Sequence, residues 1–345
     1  MPDSIDDHLS GQPVAIAERD GASNPAARIS VVVPHYNDLA GLRICLDRLR
    51  AQTIGSSKLE VIVADNMSEC GLDAVQGVCG DFATAILATV RGPGPARNAG
   101  VAAASAPILA FTDTDCSPAL TWLGESLKAL KQFDVVGGAM EVTVAVPERP
   151  TNVECFERVF AFDNRRYVER DGYTVTANLV TTKKVFETVG GFVSTAIAED
   201  VEWCRRATSA GFKLGYAPSA LVSHPAREDW AQLTKKWQRV LRQQFFENEK
   251  DGRGKFRWLM FNVVVLLSPL GHIFAVLRSD RLDTWPQRLG AIGVLVRLRT
   301  WRFAKGIEML FSRTIEDPWI RKGQQTRNKT KRDQSARLDE DPINR

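Results

Sequence analysis

Four stretches carry residue types whose spacing could support chemistry. The first is FTDTDC, residues 111–116, where Asp113 and Asp115 flank Thr114 directly behind an apolar run. In an extended segment side chains i and i+2 point the same way. Two carboxylates on one side repel unless a cation lies between them. Hard Mg²⁺ or Mn²⁺ suits such oxygens and takes its other ligands from phosphate and water. An isolated Asp-x-Asp is common on solvated loops; its place at a strand end gives it weight. The second stretch is RGPGPARNAG, residues 91–100. Its glycines imitate a dinucleotide-binding loop, but the spacing differs and the segment follows the third predicted strand instead of the first. Pro93 and Pro95 also remove backbone donors. It reads as a tight entry to a helix carrying Arg97 and Asn98 toward the strand ends, where Arg97 can pair with a diphosphate or with Asp113. The third is AEDVEWCRRATSAGF, residues 198–212, in which Glu199 and Asp200 open a predicted helix. Acids suit that end of the helix dipole, and a group transfer to a hydroxyl also needs a carboxylate to take its proton. The fourth is His224 in LVSHPAR, either a third metal ligand or a plain strand-end histidine.

These residues need elements to position them. Residues 28–37, 59–66, 83–90 and 107–113 are apolar, β-branched runs of the kind buried in parallel sheets. Between them, 39–52 has apolar residues at helical spacing and 95–105 is a small-residue helix. Strands alternating with helices predict a doubly wound parallel sheet, whose ligands bind beyond the carboxyl ends of the strands. Tyr36, Asn37, Asp65, Asn66, Arg91 and Gly92 fall there, along with Asp113 and Asp115. Beyond residue 135 the pattern is mixed: strand-like at 135–144, 174–180 and 212–222, helical at 153–168 and 199–210.

The 345 residues, 44% hydrophobic and 25% charged, are those of a globular chain that can bury a large core. The net charge of +4 conceals an asymmetry. Acids exceed bases through residue 226, and bases exceed acids about two to one beyond it. That points to an anionic neighbour for the last third. Six cysteines form no CxxC pair and sit mostly in apolar stretches, so free buried thiols and a reducing compartment are expected. MPDSIDDHLS has neither a basic nor an apolar signal region, so no signal peptide is expected. Residues 1–27 read as a flexible leader and 321–345 as a disordered charged tail, with a basic and aromatic helical region over 227–320. Within it, 258–277 is long enough to cross a bilayer, but Pro269 and Gly271 would break it midway. Arg- and Trp-rich flanks favour helices lying in the interface over a span.

In this order the motifs ISVVVPHYND, EVIVADNMS, GPGPARNAG, FTDTDC, TANLVTTKKVFETVGGF, AEDVEWCRRATSAGFKLGYAP and VSH resemble the inverting family 2 glycosyltransferases of GT-A fold, over residues 28–226. The resemblance implies a Rossmann-like, mostly parallel α/β sheet flanked by helices; the apolar and basic pattern beyond residue 226 adds a C-terminal helical membrane-associating extension. It implies that Pro34, Tyr36, Asp65, Asn66, Arg97, Asp113 and Thr114 line the nucleotide-sugar donor. Asp115, Asp113 and His224 would hold a divalent metal, Mn²⁺ or Mg²⁺, with Asp115 the more direct ligand. Asp200 would be the base, with Glu199 as fallback, and Asn178, Gly190 and Gly191 would form the acceptor side. The implied reaction moves one hexosyl or N-acetylhexosaminyl unit, with inversion, to a glycan or lipid-linked acceptor at the cytoplasmic side of the cell membrane. Processive members carry Q-x-x-R-W; here Gln238 and Arg242 are one residue too far apart and no Trp follows. No nucleic-acid motif is present, and oligomerisation is open. The competing readings are a sugar nucleotidyltransferase, for which PHYND lacks the glycine-rich, lysine-bearing loop, and a non-catalytic nucleotide- or carbohydrate-binding protein.

Overall fold

A computed structural model describes residues 28–193, 198–250 and 254–311. The leader, the tail and residues 312–320 lie outside them. Two compact units separate: one runs to Leu233 and includes Ala275–Val294, and the other comprises Thr234–Phe274 and the chain from Leu295.

The first unit is built on one sheet. Its first half alternates as the sequence predicts: β1 (Ile29–His35), α1 (Leu39–Arg50), β2 (Leu59–Asp65), α2 (Leu72–Cys79), β3 (Thr84–Leu87), α3 (Pro93–Ala103) and β4 (Ile108–Phe111). The second half holds β5 (Ser117–Pro118), α4 (Trp122–Ala129), β6 (Val135–Thr143), α5 (Asn152–Phe160), α6 (Asn164–Arg166), β7 (Leu179–Thr182), α7 (Lys183–Val189), α8 (Glu199–Ser209) and β8 (Leu214–Pro225). The strand order is β3-β2-β1-β4-β7-β6-β8-β5. β3, β2, β1 and β4 run parallel, as do β6 and β8, whereas β7 pairs antiparallel with both β4 and β6. The sheet is therefore mixed, which the run of apolar residues did not reveal: a central strand buried on both faces looks alike in either direction.

Alternation along β1 explains the two layers. Ile29, Val31 and Val33 face one side with Leu42, Cys45, Leu46 and Leu49 of α1 and Trp122 of α4; Val32 faces the other with Val101, Phe186 and Trp203. Asp38 caps α1 by accepting from the Gly41 amide at 2.9 Å. Thr151 and Glu154 form a capping box at α5. The helix expected over 153–168 instead stops at Phe160 and resumes as the short α6, with Asp163 capping it. The strand expected over 174–180 begins only at Leu179, after a 3-10 turn at Thr176–Asn178. All six cysteines are free, and only Cys70 is exposed.

Beyond the sheet lie α9 (Trp230–Lys250), α10 (Gly254–Leu267), α11 (Pro269–Leu277) and α12 (Trp285–Phe311). The break expected near Pro269 falls at Ser268, whose carbonyl accepts from Gly271 and His272 while Pro269 takes the first helical position. Gly254–Leu277 is, among the described residues, the one stretch long and apolar enough to cross a bilayer, with mean hydropathy 2.0. Phe256, Val264, Leu267 and Leu270 along it are exposed.

Candidate active site

The carboxyl end of β1 begins the site. His35 is buried and bonds the Asp65 carboxylate through Nδ1 at 2.8 Å, while its Nε2 accepts from the Asp38 amide at 3.2 Å. With Nε2 accepting, Nδ1 is the nitrogen that donates to Asp65. Ser68 adds its hydroxyl at 2.5 Å and its amide at 3.1 Å to the same carboxylate. Asp65 is thus held inward, whereas Tyr36 stands half exposed at the strand end just past Pro34. Asn66 crosses to the next loop: its amide donates to the Ala88 and Val90 carbonyls and accepts from the Gly92 N–H at 2.7 Å.

α3 delivers Arg97. Gly100 lets the helix sit close on β1, because a Cβ there would lie 2.4 Å from Val32 Cγ1. Arg97 is 3% exposed and reaches Asp113 at 2.6 Å with Nη2 and Glu199 at 2.8 Å with Nη1. Burial works against its charge, but Asp113 and Glu199 outweigh that and raise its pKa above the usual arginine range. One guanidinium therefore joins α3, the loop after β4 and the start of α8. Next along α3, Asn98 holds Phe192 through both its amide groups at 2.7 and 2.8 Å. Phe192 packs with Phe111, Phe186 and Trp203 at ring separations of 5.4–5.7 Å. This aromatic cluster sets the end of β4 against α8, hence Asp113 against Glu199.

The two aspartates part company. Residues 113–116 form a turn closed by the Cys116 amide on the Asp113 carbonyl at 3.0 Å, not an extended strand end. The turn keeps ligand atoms of Asp113, Asp115 and Cys116 within 4.8 Å of one another. Asp113 turns to Arg97, and Asp115 turns to His224, 3.2 Å from Nε2. Pairing of β5 with β8, Ser117 opposite Ser223, fixes that second contact. Gly41 lets α1 approach the turn: a Cβ would meet the Thr114 carbonyl at 2.9 Å. Asp38, Gly41, Ile44, Thr114, Asp115, Cys116 and Pro225 line a cavity of 180 Å³ there.

His224 sends Nδ1 to the Pro225 carbonyl at 2.7 Å, which presents Nε2 to Asp115, the arrangement of a metal-binding imidazole. Burial disfavours its proton, but the Asp115 carboxylate outweighs this and raises its pKa. The same contact outweighs burial at Asp115 and holds that carboxyl below its usual range. Burial pushes the Cys116 thiol far up, so it stays protonated and bonds Asp115 as a weak donor. Two carboxylates and an imidazole remain, a donor set that fits Mg²⁺ or Mn²⁺.

Asp200, partly buried beside Glu199, is pushed up to about 6 by burial and then by the Glu199 charge. Asn178 stands beside the end of β4, since its neighbour Leu179 pairs with Phe111. Asn178 is 1% exposed and fully engaged, accepting from Trp122 Nε1 and donating to the Ala139 and Ala220 carbonyls, each at 2.8 Å. The Gly190-Gly191 turn is gripped by Arg206, which donates to the Val189 and Gly191 carbonyls. Gly190 needs its φ of 85°, and a Cβ on Gly191 would press on Asn98 at 2.9 Å. Sequence reasoning missed His35 and Ser68. The signal existed for His35, since equal strand lengths place it opposite Asp65.

Residues 30–192 match the profile of glycosyl transferase family 2, and 145–311 that of glycosyl transferase family group 2. Over 222 residues, 61% of this chain and 71% of the relative, identity is 34% to glycosyltransferase AglE of Haloferax volcanii. Over 222 residues it is 32% to the pre-mycofactocin glycosyltransferase of Mycobacterium tuberculosis, with 60% of this chain matched but only 46% of that one. Mannosyltransferase PcManGT of Pyrobaculum calidifontis, solved in complex with GDP-Man and Mn²⁺, has a TM-score of 0.53 at 19% identity over 88% of this chain and 92% of that one. That likeness is one of fold.

Proposed function

This chain belongs to glycosyl transferase family 2 and has the GT-A fold, and from that premise we propose that it transfers a single sugar, with inversion, from a nucleotide-sugar donor to a hydroxyl of a glycan or lipid-linked glycan. The observation that carries the reading is Arg97, which ties Asp113 to Glu199 and so holds the donor-side turn beside Asp200. Asp115, Asp113 and His224 would hold a divalent ion. When bound, the ion would neutralise charge growing on the departing nucleoside diphosphate.

The residues themselves divide the work. Tyr36 at the end of β1 offers a half-exposed ring to the donor's base, and the Asp65-His35-Ser68 network keeps the adjoining loop in shape. Arg97 orients Asp113. Asp200 takes the acceptor's proton; a carboxyl near 6 is ionised at neutral pH yet more basic than an ordinary aspartate, as a general base requires. GDP-Man and Mn²⁺ in the mannosyltransferase neighbour support a nucleotide-sugar and a divalent metal for this site as well. The exposed apolar residues of 258–277, with Arg257 and Arg278 at its flanks, support attachment to the cytoplasmic membrane face, where a lipid-linked acceptor is presented.

The test is a panel of nucleotide sugars with Mn²⁺ or Mg²⁺, scored for released nucleoside diphosphate. We expect release with one donor class, its loss on adding chelator, and its loss in Asp115→Asn. Folded protein that binds and turns over no donor would overturn the proposal.

A further inference from the structure

The second unit holds a cluster that sugar transfer does not use. Trp237 and Gln244 lie two turns apart on α9, and Arg299 and Arg302 lie one turn apart on α12. Arg302 is 3% exposed. Its Nη2 donates to Gln244 Oε1 at 3.0 Å, and its guanidinium carbon lies 4.3 Å from the centre of the Trp237 ring. Arg299 sits over the same ring at 5.8 Å and is partly exposed, so the cluster opens to solvent on its side.

Two guanidiniums thus converge on one indole, and among the described residues neither pairs with a carboxylate. Arg302 Nε, Arg299 Nε and Trp237 Nε1 are buried donors with no acceptor. The first unit pairs its arginines with acids: buried Arg97, although its own Nε also lacks an acceptor, has two carboxylates, and half-buried Arg227 has Glu157 at 2.9 Å. The electrostatic result is opposite as well. Burial, and then the Arg299 charge, pulls Arg302 down to about 9. Unpaired buried charge and orphaned donors are both costly and call for a partner. The missing partner is defined by what is present, namely donors only and two positive charges. A metal ion is repelled, and a neutral acceptor leaves the charge standing. A phosphate brings up to two negative charges and several acceptor oxygens, and its geometry matches the guanidinium fork.

We propose that Arg299, Arg302 and Trp237 form a receptor for a phosphate group. Arg302 binds from below through its fork, Arg299 closes the open side, and Trp237 supplies its N–H and fixes both guanidiniums by stacking. The phosphate can be free or carried by a lipid. Exposed Phe256, Phe261, Val264, Leu267 and Leu270 on the same unit would meet the chains of a lipid. The proposal does not rest on sugar transfer, because binding alone is read.

The full chain is tested in chelator, which silences metal-dependent binding at the aspartate site. One arm titrates inorganic phosphate and follows thermal unfolding. The other measures flotation with phosphatidylcholine vesicles, with and without phosphatidic acid. Arg299→Gln combined with Arg302→Gln is compared with the unaltered chain, and Arg302→Lys, which keeps the charge without the fork, serves should the double variant not fold. We expect the variants to bind about tenfold more weakly or worse. An arginine-dependent response to inorganic phosphate identifies a soluble source; one seen only with phosphatidic acid identifies a lipid. No response to either probe, or equal responses from the unaltered chain and Arg302→Lys, would overturn the receptor.

Discussion

Replacing Asp200 by Asn should separate activity from stability. The Asp200 carboxyl is pushed from 3.8 up to about 6 by burial and by the Glu199 charge. A shift of about two units corresponds to about 3 kcal/mol, an upper figure because the group is partly exposed. The sign follows from linkage. Between pH 4 and pH 6 the folded chain holds a proton here that the unfolded chain has released, so stability falls as pH rises through that window. Above it the folded chain carries the full cost of an ionised Asp200. Asn carries no such charge, and its side-chain oxygen can still accept from the Val201 amide, now bonded at 2.8 Å. Metal-free Asp200→Asn should therefore be more stable than the unaltered chain at pH 8, melting higher by on the order of 5 °C. The advantage should shrink below pH 6 and vanish near pH 4, while donor binding persists and transfer is lost. Thermal unfolding at a series of pH values, with chelator present, reads the first part; nucleoside diphosphate release reads the second. A variant that melts below the unaltered chain at pH 8 would refute the burial argument. One that transfers normally would refute the base assignment.

Other consequences are as direct. Arg97→Met leaves Asp113 and Glu199 without their shared cation and should cost about 3 kcal/mol in urea unfolding, with Arg97→Lys unable to restore both contacts. His224→Ala and Asp115→Asn should each weaken Mn²⁺ binding about tenfold or more, measured by calorimetry, because each removes one member of the facing pair. Gly100→Ala forces a methyl against Val32 and should cost about 1–3 kcal/mol by overpacking, read from the denaturation midpoint. Val264→Asp with Leu270→Asp should reduce recovery with vesicles while leaving donor turnover in solution intact.

The first half of the sheet was legible because each strand is a short apolar run ended by a turn and each helix has its own period. Asp113 and Asp115 were legible for the same reason, as the polar residues following a buried strand. Legibility declined where direction and partner depend on distant chain. β7 reads like any buried strand, yet it runs antiparallel because β4 and β6 flank it. The rule that side chains alternate gave the aspartates a common side. The structure gives them a turn, with Arg97 drawing one and His224 the other.

The sequence by itself determined the alternation of strands and helices, the strand ends at which sheets of this kind bind ligands, and the carboxylates and imidazole that stand near them. These follow from periodicity and side-chain chemistry, which are local. Only the tertiary structure decided which charges meet. Arg97 finds two carboxylates from segments far along the chain, and Arg299 and Arg302 find none among the described residues. Burial makes the difference consequential, because an ion removed from water depends on the partners that the fold brings to it.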